Sequence, residues 1–354
     1  MLPHDASARG KISFVRASLM SAVARELGRT GTRPEPLLAQ AGINSGQLSD
    51  PYGEIPLLQF VRFLETSAHL TSDPHIGAGI GTRLSVGDLG PVGIALSLSQ
   101  SIDVGISRFS RFSNALQGGT ESQWVEDGGM CVFTYRVSDP KIWPRKQDSE
   151  FSLASLVHIV RSSFWSRWSP DEVHFEHEAP HDVRPLQALF GCKIRFAQPI
   201  NRFLVEKERC LATARTEDPA HLMALERHIT EIMGSTLHCS TLSASVSALI
   251  DASLGLSPVT LARVARVLKL TPRSLQRKLS LEGTSFREVL ERQRKDKAKV
   301  LLSNPNIKVS DVSERLGYSD PTAFWRAWKS WTGESPTFMK KTSGHEVVQR
   351  TEAS

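Results

Sequence analysis

The chain has 354 residues, of which 40% are hydrophobic and 23% charged, and a formal net charge of +6. That length exceeds one small domain, so two are expected, and no run of 18 apolar residues occurs, which excludes a membrane-spanning helix. The charge is uneven: from Ser257 to Thr342 there are 18 Lys and Arg against 8 Asp and Glu, which leaves 25 against 29 elsewhere. A basic segment on an otherwise mildly acidic chain is the electrostatic footprint of nucleic-acid binding.

The start, MLPHDASARGK, has no apolar core and does not read as a signal peptide, so a cytoplasmic protein is expected. Hydrophobic spacing predicts a helix over residues 11–28, with Phe14, Val15, Leu19, Val23 and Leu27 on one side and Gly28 and Gly31 at its end. A second helix is expected from Pro34 to Ala41, stopped by Gly42. A third runs from Ile55 to Leu70, with Pro56 near its start and Leu57, Phe60, Val61 and Leu64 on one face. Residues 76–93 are rich in glycine. The GxGxG run from Gly77 to Gly81 lacks the preceding strand and the later acidic residue of a dinucleotide site, so helix packing and turns account for it better. Two helices follow between Val92 and Leu116, broken near Ser101 to Asp103.

From Thr120 to Val137 the period changes to two. Trp124 and Val125 form one candidate strand, Met130 to Val137 another, and Asp127, Gly128 and Gly129 supply the turn of a hairpin. Phe151 to Trp168 reads as helix, closed by Ser169 and Pro170. Strands are expected at Asp171–Phe175, Lys193–Phe196 and Phe203–Val205, and then a helix from Pro219 to Met233. His174, His177 and His181, with Glu176 and Glu178, invite a metal reading. In a strand, however, His174 and His177 point to opposite faces, and a metal wants convergent ligands, so no metal site is expected. Cys131, Cys192, Cys210 and Cys239 form no CxxC pair and are expected to be reduced thiols. There is no GxSxG elbow, P-loop or HExxH, so no catalytic residue and no cofactor is implied.

The stretch from Pro258 to Lys341 carries the strongest pattern. In VARVLKLTPRSLQRKL, Val264, Ala265, Leu268 and Leu270 mark the apolar side of a short helix and the turn after it. Thr271 can cap the next helix, and Pro272 falls at its first position, where a missing N–H costs nothing. Leu275 and Leu279 stand four apart and share the inner face. A short helix, a tight turn and a second helix with a basic outer face is the layout of a helix-turn-helix. The layout recurs in VSERLGYSDPTAFWRAWKSW. There Leu316 and Tyr318 repeat Leu268 and Leu270, Ser319 repeats Thr271 as the cap, and Phe324 and Trp328 repeat Leu275 and Leu279. Asp320 is placed in the first turn of its helix. Between the repeats, Thr284 or Ser285 opens a helix with Phe286, Leu290, Val300 and Leu301 as its stripe, ended by Asn304 and Pro305. About 18 residues span roughly 27 Å, enough to hold two small units at a fixed separation.

The TPRSLQRKL stretch, the GTSF turn at Gly283 to Phe286 and the GYSDPTAFWRAWKSWTGESP block resemble the DNA-binding domain of the AraC/XylS family of bacterial transcription regulators. The resemblance covers residues 241–341 and implies two helix-turn-helix units bridged by a helix, with base contacts from both second helices. Trp328 stands where the family most often has Phe. Residues 20–233 are similar, more diffusely, to the mixed α/β ligand-binding domain of one branch of that family. The carriers are GDLGPVGIALSLSQSIDVGISRFSRF, VHFEHEAPHD and LFGCKIRFAQPINRFLVEKERCL. Such domains sense small molecules and help dimerisation.

The expected fold is therefore an α+β sensor with helices and a small sheet, followed by an all-α double helix-turn-helix. The expected boundaries are 11–233 for sensing and dimerisation, 234–240 for a linker, 241–341 for the reader and 342–354 for a tail. Arg273, Gln276, Arg277, Thr322, Trp325 and Arg326 are the base-reading candidates: Arg matches guanine, Gln matches adenine, and Thr or Trp can meet a thymine methyl. Ser274, Lys278 and Lys329 suit phosphate. Expected partners are double-stranded promoter DNA, a small-molecule effector and a second copy in a homodimer, with RNA polymerase implied by the resemblance. A ligand-independent nucleoid-type binder, or an N-terminal enzyme fused to a reader, are the alternative classes.

Overall fold

The computed structural model describes residues 13–139, 141–211, 215–233, 241–304 and 307–337. The expected linker at 234–240, the tail at 342–354, Cys239 and Pro305 lie outside the described residues. Contacts divide the chain into two compact units. The first comprises residues 1–122, 135–169 and 209–236, and the second comprises residues 123–134, 170–208 and 237–354.

The first unit opens with strand β1 (Phe14–Arg16) and helix α1 (Ala17–Gly28). Residues 14–16 are thus strand, although their spacing suits a helix. Val15 pairs with Ile55 of β2 (Glu54–Pro56) on one side and with Gln117 of β3 (Gln117–Gly118) on the other. Arg16 locks that arrangement by donating to the carbonyls of Ala115 at 2.9 Å and Tyr52 at 2.6 Å. These partners lie far away in sequence, and their pairing overrides a local helical period.

Helix α2 (Pro34–Gln40) keeps its expected place, and α3 (Leu57–Thr71) starts just after Pro56. Helix α4 (Ile76–Gly81) uses its glycines for packing. A Cβ at Gly77 would come within 2.2 Å of the Gln147 carbonyl oxygen, and one at Gly81 within 2.7 Å of that of Phe151. Helices α5 (Gly90–Ser97) and α6 (Ile102–Phe112) are broken where expected, and Ser101 caps α6. After the strands β4 (Thr120–Asp127) and β5 (Met130–Val137), α7 (Lys146–Ser163) begins and ends five residues earlier than the sequence reading has it. Its core side chains, Leu153, Leu156 and Val160, are fully buried, as are Phe60, Phe63 and Leu64 of α3.

The β4–β5 hairpin turns through Gly128 and Gly129, with φ of 64° and 83°. Two successive left-handed residues make the tight turn whose twist suits a hairpin, and glycine adopts them without strain. The hairpin opens a five-stranded sheet of order β4-β5-β8-β6-β7, with β6 (Glu172–His174), β7 (Lys193–Arg195) and β8 (Asn201–Glu206). In it β6 runs parallel to β7 and antiparallel to β8. Helices α8 (Arg184–Phe190) and α9 (Lys207–Leu211) were not expected from the sequence, whereas α10 (Pro219–Met233) has the expected ends.

The rest of the second unit is helical: α11 (Leu242–Ser253), α12 (Leu261–Val267), α13 (Pro272–Leu281), α14 (Phe286–Leu302), α15 (Val309–Arg315) and α16 (Pro321–Thr332). Among the described residues no helix is long and apolar enough to cross a membrane.

Candidate nucleic-acid interface

Two helix pairs form the candidate interface, and each starts from its caps. Thr260 accepts from the Arg263 amide at 3.2 Å to open α12, and Thr271 accepts from the Ser274 amide at 3.1 Å to open α13. Pro272 takes the first position of α13, and Pro321 does the same in α16. The cap of α16 is Asp320, which accepts from the Ala323 amide at 2.8 Å. This corrects the sequence reading, which gave the cap to Ser319 and put Asp320 inside the first turn. The second turn is one residue longer than the first, so the acceptor that precedes Pro321 is Asp320. That backbone N–H holds the Asp320 carboxyl below its ordinary range.

The inner faces follow the expected period. Leu275 and Leu279 are buried with Val264 and Ala265 against Val246, Leu249 and Ile250 of α11 and Val289 of α14. Phe324 and Trp328 are buried with Val312 and Leu316 against Ala298, Leu301 and Leu302 of α14. One end of α14 therefore completes the first core and the other end completes the second. Its 17 residues give an axis of about 26 Å.

Sequence reasoning missed the polar side chains that fix this bridge. Gln293 and Lys297 lie on the buried face of α14. Gln293 bonds the Ser247 hydroxyl, and Lys297 lies 3.5 Å from the buried Asp251 carboxylate, so both tie α14 to α11. Arg294 donates to the carbonyls of Leu316 and Gly317, each at 3.0 Å, and stacks over the Tyr318 ring. Lys295 donates to the Trp331 carbonyl at 2.9 Å. These two hold the second pair. A charged residue at such a position reads locally as a solvated helix face, and only the fold shows the carbonyls it meets.

The five-stranded sheet braces the first pair inside the same unit. Arg202 of β8 is fully buried, and its Nη1 reaches the carbonyls of Asp251, Ala252 and Leu254 at 3.0–3.3 Å, where α11 ends. Its Nε donates to His174 Nδ1 at 2.9 Å, so the other ring nitrogen carries the proton and faces Glu172 at 2.8 Å. Burial, with the Arg202 guanidinium beside it, pushes His174 down to about 4. His174 is thus a neutral link in a hydrogen-bond chain, and His177 stacks on Phe175 instead. At the hairpin turn Asp127 pairs with Arg263 of α12 at 2.6 Å.

The outer faces carry the residues singled out from the sequence. Arg273, Gln276, Arg277 and Lys278 are exposed along α13, and Thr322, Trp325, Arg326 and Lys329 are exposed along α16. Ser274 is half-buried, and its hydroxyl accepts from Thr271 at 2.9 Å within the cap. Lys329 sits over the Trp325 ring at 5.3 Å, so these two share one face. Trp325 is 39% exposed although large and apolar, whereas Trp328 on the inner face is 1% exposed. Each second helix thus presents an outward polar face backed by a closed apolar core.

Comparison with known proteins agrees with this geometry. Residues 31–213 match the model of the arabinose-binding domain of AraC transcription regulators, and residues 264–342 match a helix-turn-helix domain. The chain is 26% identical over 338 residues to the HTH-type transcriptional regulator VirS of Mycobacterium tuberculosis, covering 94% of this chain and 98% of VirS. It is 25% identical over 307 residues to the ornithine utilization regulator of Pseudomonas aeruginosa, covering 87% of this chain and 90% of that one. A shorter match, 37% over 83 residues, links 23% of the chain to 26% of the regulator VqsM of Pseudomonas aeruginosa. All three relatives are named as regulators, two of them as HTH-type transcriptional regulators.

Proposed function

The chain belongs to the AraC family of transcription regulators and is a ligand-responsive DNA-binding regulator, and from that premise we propose how it reads DNA. The two second helices, α13 and α16, enter successive major grooves of promoter DNA, which lie about 34 Å apart on one face of the duplex. Arg273, Gln276 and Arg277 read bases in one groove, and Thr322, Trp325 and Arg326 read them in the other. Ser274, Lys278 and Lys329 hold phosphates and set the register. The observation that carries this reading is the pair of exposed polar faces, each on a helix whose inner face is closed, joined by the single helix α14.

Residues 11–233 act as the sensing and dimerisation domain and 241–341 as the reader. The protein works in the cytoplasm as a homodimer, without catalysis. It activates transcription by presenting a surface to RNA polymerase when its effector is bound. Effector control is supported by the sensing-domain match. The effect cannot exceed the ligand's differential affinity for the two states.

Selection of bound sequences from random duplex DNA tests this, using the full chain at about 150 mM salt. The expected result is a motif with two short specified blocks about one helical turn apart. Recovery without any sequence preference would replace the reading with that of a non-specific, nucleoid-type binder.

A further inference from the structure

Within the second unit, strand β4 and helices α11 and α12 surround an open cavity of about 850 Å³, a volume in the range that small ligands occupy. Trp124, Leu249, Val267 and Leu268 give it an apolar wall. Both carboxylates at its rim are already engaged, Glu126 with Lys207 at 2.6 Å and Asp127 with Arg263 at 2.6 Å. Two further cations line it, Arg266 and Lys269, both exposed, and neither has a carboxylate at ion-pair distance among the described residues. The cavity therefore joins an apolar surface to uncompensated positive charge.

Lys269 carries a second, independent mark. Its backbone lies in the left-handed region at φ 55°, in the turn between the two helices of the first pair. The residue at the matching place of the second pair is Gly317, at φ 69°. Glycine adopts that conformation freely, whereas a residue with a Cβ is strained there. Of the two matching turns, the one that lines the cavity is the one that keeps a side chain, and that side chain is a cation.

We propose that this cavity is a second ligand site, additional to the sensing role of residues 11–233, and that it takes a small organic anion with an apolar body. Arg266 and Lys269 hold the carboxylate, and Trp124 and Leu268 cover the body. The proposal rests on the reading of residues 241–341 as the DNA reader and adds to it a ligand of stated chemical class. Arg266 lies on α12, and Lys269 belongs to the turn that leads into α13. A bound anion therefore acts directly on the first reading unit.

Calorimetric titration of the full chain with benzoate and octanoate tests this, with benzamide and octanamide as neutral counterparts. The acids are expected to bind with dissociation constants of about 1 mM or below and the amides not to bind. Arg266→Gln with Lys269→Gln should weaken the acids by about tenfold or more. Lys269→Gly should weaken acid binding while raising the thermal midpoint, because it relieves the left-handed strain; a merely structural lysine would leave binding unchanged. Equal binding of acids and amides, unchanged acid binding in the double variant, or no heat from either acid overturns the proposal. So does a double variant that loses affinity for random-sequence duplex with acid binding intact, because the two cations would then serve DNA phosphates. The regulator reading fails separately: a motif recovered from random duplexes without acid binding overturns only the site. Acid binding without any recovered motif overturns only the reader.

Discussion

In the first reading unit α13 is capped by Thr271 and buries Leu275 and Leu279; in the second, α16 is capped by Asp320 and buries Phe324 and Trp328. The turns differ as well, with Lys269 in one and Gly317 in the other. So do the braces. The first pair leans on α11, whose first amides donate to Glu282 at 2.7 and 2.9 Å, and on the sheet through Asp127. The second leans on Arg294 and Lys295 of α14. The repeat thus retains physical requirements and not residue types. It needs an acceptor before a proline, a left-handed turn and two apolar residues four apart. Several side chains meet each requirement, which lets the two units differ in stability, in the bases they are proposed to read and in their response to pH.

The largest expected difference is in the cores. Trp328→Ala should cost about 3–5 kcal/mol and Leu279→Ala about 2–5 kcal/mol, because the aromatic leaves the bigger cavity. Urea unfolding followed by amide exchange in each helix pair measures both. Trp328→Ala should open α15 and α16 first, and Leu279→Ala should open α12 and α13 first. Matched exchange in both pairs for either variant would mean that α14 couples the two cores into one cooperative block, and the comparison between units would collapse.

A smaller difference is expected on DNA. On the proposed readout, Arg326→Ala weakens the selected motif by about 1–3 kcal/mol and relaxes one base position in the second block only. Lys329→Ala weakens all sequences alike and lowers the salt slope by about one. Both are read from binding isotherms on motif and scrambled duplexes across a salt series. If Arg326→Ala leaves affinity and preference as they were, the second unit positions the protein without reading bases.

The helix pairs were legible because their cues are local. Thr271 before Pro272, and the spacings Leu275 to Leu279 and Phe324 to Trp328, need no distant partner to be read. The bridging helix was legible from its own cap and stripe, and the sensing domain from the resemblance carried by GDLGPVGIALSLSQSIDVGISRFSRF, VHFEHEAPHD and LFGCKIRFAQPINRFLVEKERCL; the matches over 31–213 and 264–342 agree with a sensing domain followed by a helix-turn-helix reader. What escaped depends on contacts far along the chain. Residues 14–16 have helical spacing and become strand because Ile55 and Gln117 lie on either side of Val15. Arg202 stands just before the expected strand Phe203–Val205 and carried no sequence signal of its own, yet it closes the end of a helix about fifty residues later. Ser319 and Asp320 were exchanged as cap because a one-residue lengthening of the turn leaves two adjacent acceptors, and only the backbone decides which one reaches Ala323.

That cap also gives the smallest and most selective prediction. Asp320 has a folded pKa below its ordinary 3.8, chiefly because the Ala323 amide donates to the carboxylate. A depressed carboxyl adds stability that is present above 3.8 and is lost as pH falls through the lower folded value. Thr271 does the same work on α13 with a hydroxyl that does not titrate. Acidification should therefore fray the start of α16 while the start of α13 holds, and amide exchange at Ala323 and Ser274 reads the two ends separately. Glu282 is also depressed, below its ordinary 4.5 and chiefly by the Ser243 amide, so the start of α11 should loosen as pH falls through that group's own folded value. The reading pair then differs in acid at α16 against α13, not at every helix of the unit. Asp320→Asn keeps an acceptor at the cap and removes the titration, so it should flatten the response at Ala323 and leave that of Ser243 in place. A response at Ala323 that persists in Asp320→Asn would assign the acid sensitivity to the braces and not to the cap.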